Sequence, residues 1–304
     1  MSDRLKAMML GSFAGDALAM GPHWIYDTAV LKSDFGIVDE YRDHPEDGFH
    51  KGKKAGEFTH YGDQTLVLLE SVAEKGGFDL DDFAQRWRDF FDTYQGYFDR
   101  ATKGALANFE KGKGPSEASS GSNDLAGAGR IAPIALAHIN NEDAFIRHAR
   151  AQTAMTHGDP AVVDSAEFFA YATAQIVNAG ADPVTAMEKA ADREYESGNI
   201  REWFDKGMET LEDDTKGVIK RFGSSCHTPD AFPGVVHVIG RWRDDFKEAL
   251  IQNTMAGGDS AARGMLAGMV LGAHNGMEKI PDSWVNGLAQ KDRILDLVDK
   301  TMKS

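Results

Sequence analysis

The feature that most restricts this chain is its helical rhythm. Phe83, Trp87, Phe90, Phe91 and Tyr94 fall at i, i+4, i+7, i+8 and i+11, one face of an α-helix entered through Asp81 and Asp82. The same spacing predicts helices over 64–75, 160–177, 183–195, 200–222, 244–255, 260–274 and 291–302, several opening with Asp, Ser or Pro. No series of alternating apolar and polar residues reads as a set of strands. The expectation is an all-α protein, and with 42% hydrophobic residues in 304 positions one large domain over residues 1–304 can bury its own core. Gly- and polar-rich stretches at 43–63, 111–129 and 223–234 are predicted loops. Residues 111–129 are long enough to be a candidate binding loop, the alternative being a surface excursion.

Charge narrows the partners. Lys and Arg total 33 against 48 for Asp and Glu, a net charge of −15 that repels a phosphate backbone and an anionic membrane surface. Neither nucleic acid nor membrane is expected as a partner. No apolar run approaches the ~18 residues of a membrane span. Cys226 stands alone, so no internal disulfide can form, and the opening Met-Ser-Asp-Arg-Leu-Lys lacks the ordered regions of a signal peptide. A cytoplasmic location is expected.

Acidic residues beside glycines carry the chemistry. Asp16, in Gly11-Ser-Phe-Ala-Gly15-Asp16, puts a carboxylate in apolar surroundings, where it either bonds nearby backbone or serves a ligand. Asp63, in His60-Tyr61-Gly62-Asp63-Gln64-Thr65, sits at or just inside a helix start, and taken alone reads as an N-cap. Asp259, after Gly257-Gly258, repeats that logic. Two such helix starts converging on one cleft would offer carboxylates to a hard cation or a sugar hydroxyl, while the alternative is two ordinary caps. Asn123, Asp124 and His157 also adjoin predicted helix starts, and Arg130 could clamp an anion or pair with a structural Asp. His23, His60 and His157 have no metal-ligand spacing with one another, and satisfied structural imidazoles are the better reading. Cys226 beside His227 is only a minor candidate for a thiol nucleophile.

Taken in order, Gly15-Asp16-Ala-Leu, Tyr61-Gly62-Asp63-Gln64-Thr65, Arg130-Ile-Ala-Pro133, Thr156-His157-Gly158-Asp159-Pro160 and Gly257-Gly258-Asp259 resemble the ADP-ribosylglycohydrolase superfamily over nearly the whole chain. The resemblance implies an all-α, mostly orthogonal helical globule. It also implies two magnesium ions held by Thr-Asp-Asp-Thr and Asp-x-Asp-[Ser/Thr] motifs around a ribose diol. This chain departs from both motifs: Gly62 and Gln64 replace Thr and Asp in the first, and Ala261 and Ala262 replace Asp and the hydroxyl residue in the second. Magnesium prefers an octahedral oxygen shell anchored by carboxylates, so the expectation is no metal, or a single weakly bound magnesium on Asp63 and Asp259. These departures, with Ser122-Asn123-Asp124 and Ser225-Cys226, look similar to the crystallin J1 and selenoprotein J branch, which contains lens structural proteins.

Two functions follow from the resemblance. The first is hydrolysis of an ADP-ribosyl or related ribosyl N- or O-glycosidic bond, with Asp63 and Asp259 catalytic. A ribosyl or nucleotide-like ligand would then be held by Asp16, Gln64, Asn123, Asp124, Arg130 and His157. The second is a non-catalytic, crystallin J1-like binding or structural protein that keeps the cleft without the reaction.

Overall fold

Small residues decide the centre of the fold. The helices Ser2–Met20 and Ser260–Asn275 lie against each other along their lengths, with Gly11 on Gly268, Gly15 on Gly264 and Ala7 on Gly272. A Cβ at Gly15 would overlap the carbonyl oxygen of Gly264, so the two backbones touch directly and both helices are buried almost all round. The computed structural model describes residues 1–303, and every regular element among them is helical. Around the central pair one apolar core gathers side chains from Leu5 to Val298. Among the described residues no helix is long and apolar enough to cross a membrane.

The aromatic stripe does what its spacing predicts. In the helix Leu80–Thr93, Phe83, Trp87 and Phe91 are buried and the Asp79 side chain caps the first turn. Pro160–Ala179, Phe246–Met255, Ser260–Asn275 and Lys291–Lys303 also fall where helices were expected. Three expectations need correction. The stretch 200–222 is two helices, Ile200–Met208 and Thr215–Phe222, because the Thr210 hydroxyl bonds back to the Gly207 carbonyl while Asp214 caps a fresh start. The predicted helix over 183–195 stops at Ala191, and the Tyr195 hydroxyl turns back to the Ala190 carbonyl. The predicted loop at 223–234 gives way at Thr228 to the helix Thr228–Arg241, with Pro229 in its first turn and Pro233 inside it. The helix Glu142–Thr156 escaped the pattern, although Asn141 followed by Glu142 and Asp143 is a capped start.

Candidate functional site

The Gly257-Gly258 turn places Asp259. Both glycines have positive φ, +72° and +66°, and a Cβ at Gly258 would overlap the Ser224 carbonyl oxygen. The turn is pinned to the chain beyond the first helix: Trp24 N donates to the Gly258 carbonyl at 3.1 Å, and Gly258 N to that of Ile25 at 2.9 Å. Asp259 then caps the helix Ser260–Asn275 with one carboxylate oxygen. The other accepts from Trp24 Nε1 and the Tyr61 hydroxyl, each at 3.0 Å. Trp24 has φ +65°, the one non-glycine among the described residues in the left-handed region. Such a conformation persists where surrounding contacts over-determine it, and the bonds to Gly258 and Asp259 supply them.

A second pair of loops meets this turn. Asp124 and His227 form an isolated antiparallel bridge, with Leu125 N donating to the Cys226 carbonyl and Thr228 N to that of Asn123, both at 2.9 Å. One ligating atom each from Asp124, Cys226 and Asp259 then lies within 4.8 Å of the others. Burial and the neighbouring Asp259 push the Asp124 carboxyl well above the usual carboxylate range. Burial, Asp124 and Asp259 push the Cys226 thiol up as well, which keeps it from being a ready nucleophile. Above this floor opens a cleft of about 350 Å³ with Trp24, Tyr26, Phe49, Tyr61 and Tyr97 among its walls. Asn123 lines it too, although its side-chain oxygen is held by His227 Nδ1 at 2.6 Å.

Other residues singled out in the sequence lie behind the cleft. Asp63 does not line it. The helix His60–Lys75 is capped by Thr59, and residues two apart on a helix point about 200° apart. With Tyr61 turned to Asp259, Asp63 therefore faces away, and one of its oxygens meets Lys53 Nζ and the Tyr94 hydroxyl, each at 2.7 Å. Asp16 is fully buried and accepts from the backbone and hydroxyl of Thr59, at 2.8 and 2.6 Å. Burial pushes its pKa up to about 7 against those bonds, and Gly62 has no side chain because the Asp16 carboxylate occupies that space.

Gln64 and Arg130, expected to hold ligand, hold each other. The buried Gln64 carbonyl oxygen accepts from Arg130 Nη1 at 2.7 Å and Trp87 Nε1 at 2.8 Å. The remaining guanidinium nitrogens donate to Gln152 and Thr156. His157 is buried on Gly127 with Nδ1 on the Thr156 hydroxyl, and burial lowers its pKa to about 3.

This arrangement does not fit a pair of magnesium ions. Gln64 is turned to Arg130, and Asp63 is committed to Lys53 and Tyr94. Ala261 and Ala262 sit in a small apolar cluster with Ala19, Tyr61, Ala126 and Met265. Asp124 lines the cleft and Asp259 lies fully buried close to it, both beside a thiol that a hard cation does not favour.

A family model described as ADP-ribosylglycohydrolase matches residues 1–304. The chain belongs to the ADP-ribosylglycohydrolase family. Crystallin J1A of Tripedalia cystophora is 23% identical over 321 residues, covering 99% of this chain and 97% of that protein. The ADP-ribosyl-[dinitrogen reductase] glycohydrolase of Rhodospirillum rubrum is 25% identical, covering 95% and 91%. A solved structure titled ADP-ribosylglycohydrolase-related protein complex superposes with a TM-score of 0.77 at 22% identity, over 99% of this chain and 98% of that one. That likeness speaks to the fold, and it agrees with the all-helical architecture expected from the sequence. Trp24, Tyr26, Phe49, Tyr97 and Asp99 had gone unmarked in the sequence. Only Asp99, ahead of a helical stretch, carried a readable signal, and it does cap the helix Arg100–Glu110.

Proposed function

We propose that this family member binds a small ribosyl or nucleotide-like ligand in the aromatic cleft and hydrolyses its glycosidic bond without a magnesium pair. The observation that carries this reading is the closeness of Asp124 and Asp259 in unlike surroundings. Asp259 accepts two hydrogen bonds on one oxygen, whereas Asp124 is held toward its protonated form by burial and by Asp259. A carboxyl held protonated can serve as the acid while the carboxyl beside it serves as nucleophile. Their closeness is nearer the ~5 Å spacing of retaining glycosidases than the ~6.5–9.5 Å of inverting ones. Asp259 would attack the anomeric carbon as the glycosidic bond breaks, and Asp124 would give its proton to the leaving atom. Water would then release the sugar from Asp259, returning a proton to Asp124.

An ADP-ribosylated peptide and simple N- and O-ribosides, incubated with the protein in chelator, test this. Asp259→Asn, which keeps the shape, is expected to lower turnover at least about a thousandfold. Turnover unchanged by Asp259→Asn, or none with any substrate, sinks the hydrolase reading. The second outcome favours the binding or structural role, to which the missing metal residues and the likeness to crystallin J1A point. At most one weak magnesium is expected, on Asp259, so millimolar magnesium should leave the thermal midpoint essentially unmoved. A clear rise with magnesium would contradict this.

A further inference from the structure

We propose that the group this cleft holds is an organic cation, a planar or quaternary nitrogen, and not a diphosphate. The inference rests on the cleft being the ligand site and narrows what that ligand carries. Its first support is the wall. Trp24, Phe49 and Tyr97 meet pairwise edge to face, with centroids 5.0, 5.0 and 5.3 Å apart and planes at 89°, 77° and 75°. His23 and His50 stack against Trp24, so the most open rings at the cleft are Tyr26 and Phe49. They are 54% and 61% exposed, an unusual state for large rings, and both border the cleft. The Tyr97 ring already meets a cation, since the Lys103 ammonium lies over it, 5.8 Å from its centroid.

The second support is the charge of the floor and of what lies behind it. Asp99 and Asp124 line the cleft and Asp259 lies fully buried beside Asp124, against Arg100 in the lining and the Lys103 ammonium over Tyr97. The guanidiniums of Arg130 and Arg263 are fully buried and donate to internal partners: Gln64, Gln152 and Thr156 for one, Asn253 and the Gly257 carbonyl for the other. Lys53 is held by Asp63. His23, stacked behind Trp24, adds no charge near neutral pH because burial lowers its pKa to about 3. A diphosphate would therefore lie against the Asp99 carboxylate and the Asp124–Asp259 pair, with the Arg100 and Lys103 side chains to offset them. A cation meets the exposed Tyr26 and Phe49 rings and the Asp99 carboxylate, and the chain's net charge of −15 favours its approach.

Calorimetric titration of the whole protein in chelator decides the matter, with three probes: benzyltrimethylammonium, the neutral 3,3-dimethylbutan-1-ol, and ADP-ribose. The cation is expected to bind about tenfold or more tighter than either other probe. Asp259→Asn and Trp24→Ala should each remove most of that preference. Because Trp24 helps hold the Gly258 turn, Phe49→Ala serves as the second variant. Phe49 is exposed, and its loss should weaken the cation severalfold with the thermal midpoint unchanged. Equal binding of cation and neutral probe overturns the proposal, as does cation binding indifferent to both Asp259→Asn and Phe49→Ala. ADP-ribose binding as well as the cation overturns it while leaving the ligand-site reading intact. Silence from all three probes overturns both.

Discussion

Gly15→Ala is expected to destabilise the protein by about 3 kcal/mol or more, the upper end of what one added methyl does in a packed interior. The new Cβ would overlap the carbonyl of Gly264 on the facing helix. That atom is backbone, so no side chain can rotate aside. The helices Ser2–Met20 and Ser260–Asn275 would have to separate, opening the Gly11–Gly268 and Ala7–Gly272 contacts along with it. Gly114→Ala is the control, because a Cβ there meets nothing within 4 Å, and it should stay within about 0.5 kcal/mol. Urea unfolding of the two variants checks this. Similar midpoints would mean that the close helix pair is not what limits stability.

The consequences of that pair reach the cleft. The helix beginning at Ser260 carries Asp259 at its start, and the helix ending at Met20 leads into Trp24. Shifting one against the other would stretch the bond from Trp24 Nε1 to Asp259, so a packing variant should also weaken whatever the cleft binds.

Of this pair the sequence pattern marks 260–274 as a helix but not Ser2–Met20, whose near-complete burial leaves no one-sided rhythm to read, although Gly11 and Gly15 mark close approach. The site was legible only in part. Asp259 was found because Gly257-Gly258 announces a turn that only glycine makes easily. Asp63 was drawn to the cleft by its motif, but which side a helical residue faces depends on where the helix begins. Thr59, not Asp63, begins this one. The partnership of Asp124 with Cys226 and His227 joins positions about a hundred apart through a loop-to-loop bridge, and no local pattern encodes it. Gln64 and Arg130 show the converse. Both have the chemistry of ligand binding, yet burial turned that chemistry inward.

The largest pH effect should come from histidines that the fold keeps neutral. His50 packs between His23, His44 and His60, each ring centroid 5.3 Å away, and neither of its nitrogens has a hydrogen-bond partner. Burial and the surrounding histidines and Lys53 hold its pKa far below the usual range, and burial lowers His23 and His157 to about 3 and His237 to about 4. Below about pH 6.5 the unfolded chain takes up protons that these native imidazoles refuse. Each therefore withdraws about 1.4 kcal/mol of stability per pH unit until its own folded pKa is reached. Asp16 and Asp124 act in the opposite sense. Their folded pKa values are raised, so the native state keeps protons that the unfolded chain releases, and stability recovers as pH falls from 7 toward 4. Burial also lowers His138 and His148 and raises Asp63 and Glu70, so six histidines stand against four carboxyls, the net result is loss, and stability should fall from pH 6.5 to 4.5. His50→Phe separates the contributions, because it fills a similar volume among Trp24 and the three imidazoles without a site to protonate. Its stability curve over that window should be shallower than the parent's by about 1.4 kcal/mol per pH unit, an advantage of about 2 kcal/mol at pH 5. Parallel curves from chemical denaturation at several pH values would show that His50 takes up its proton in the native state as readily as in the unfolded chain, and that the cluster opens to water well before the protein unfolds.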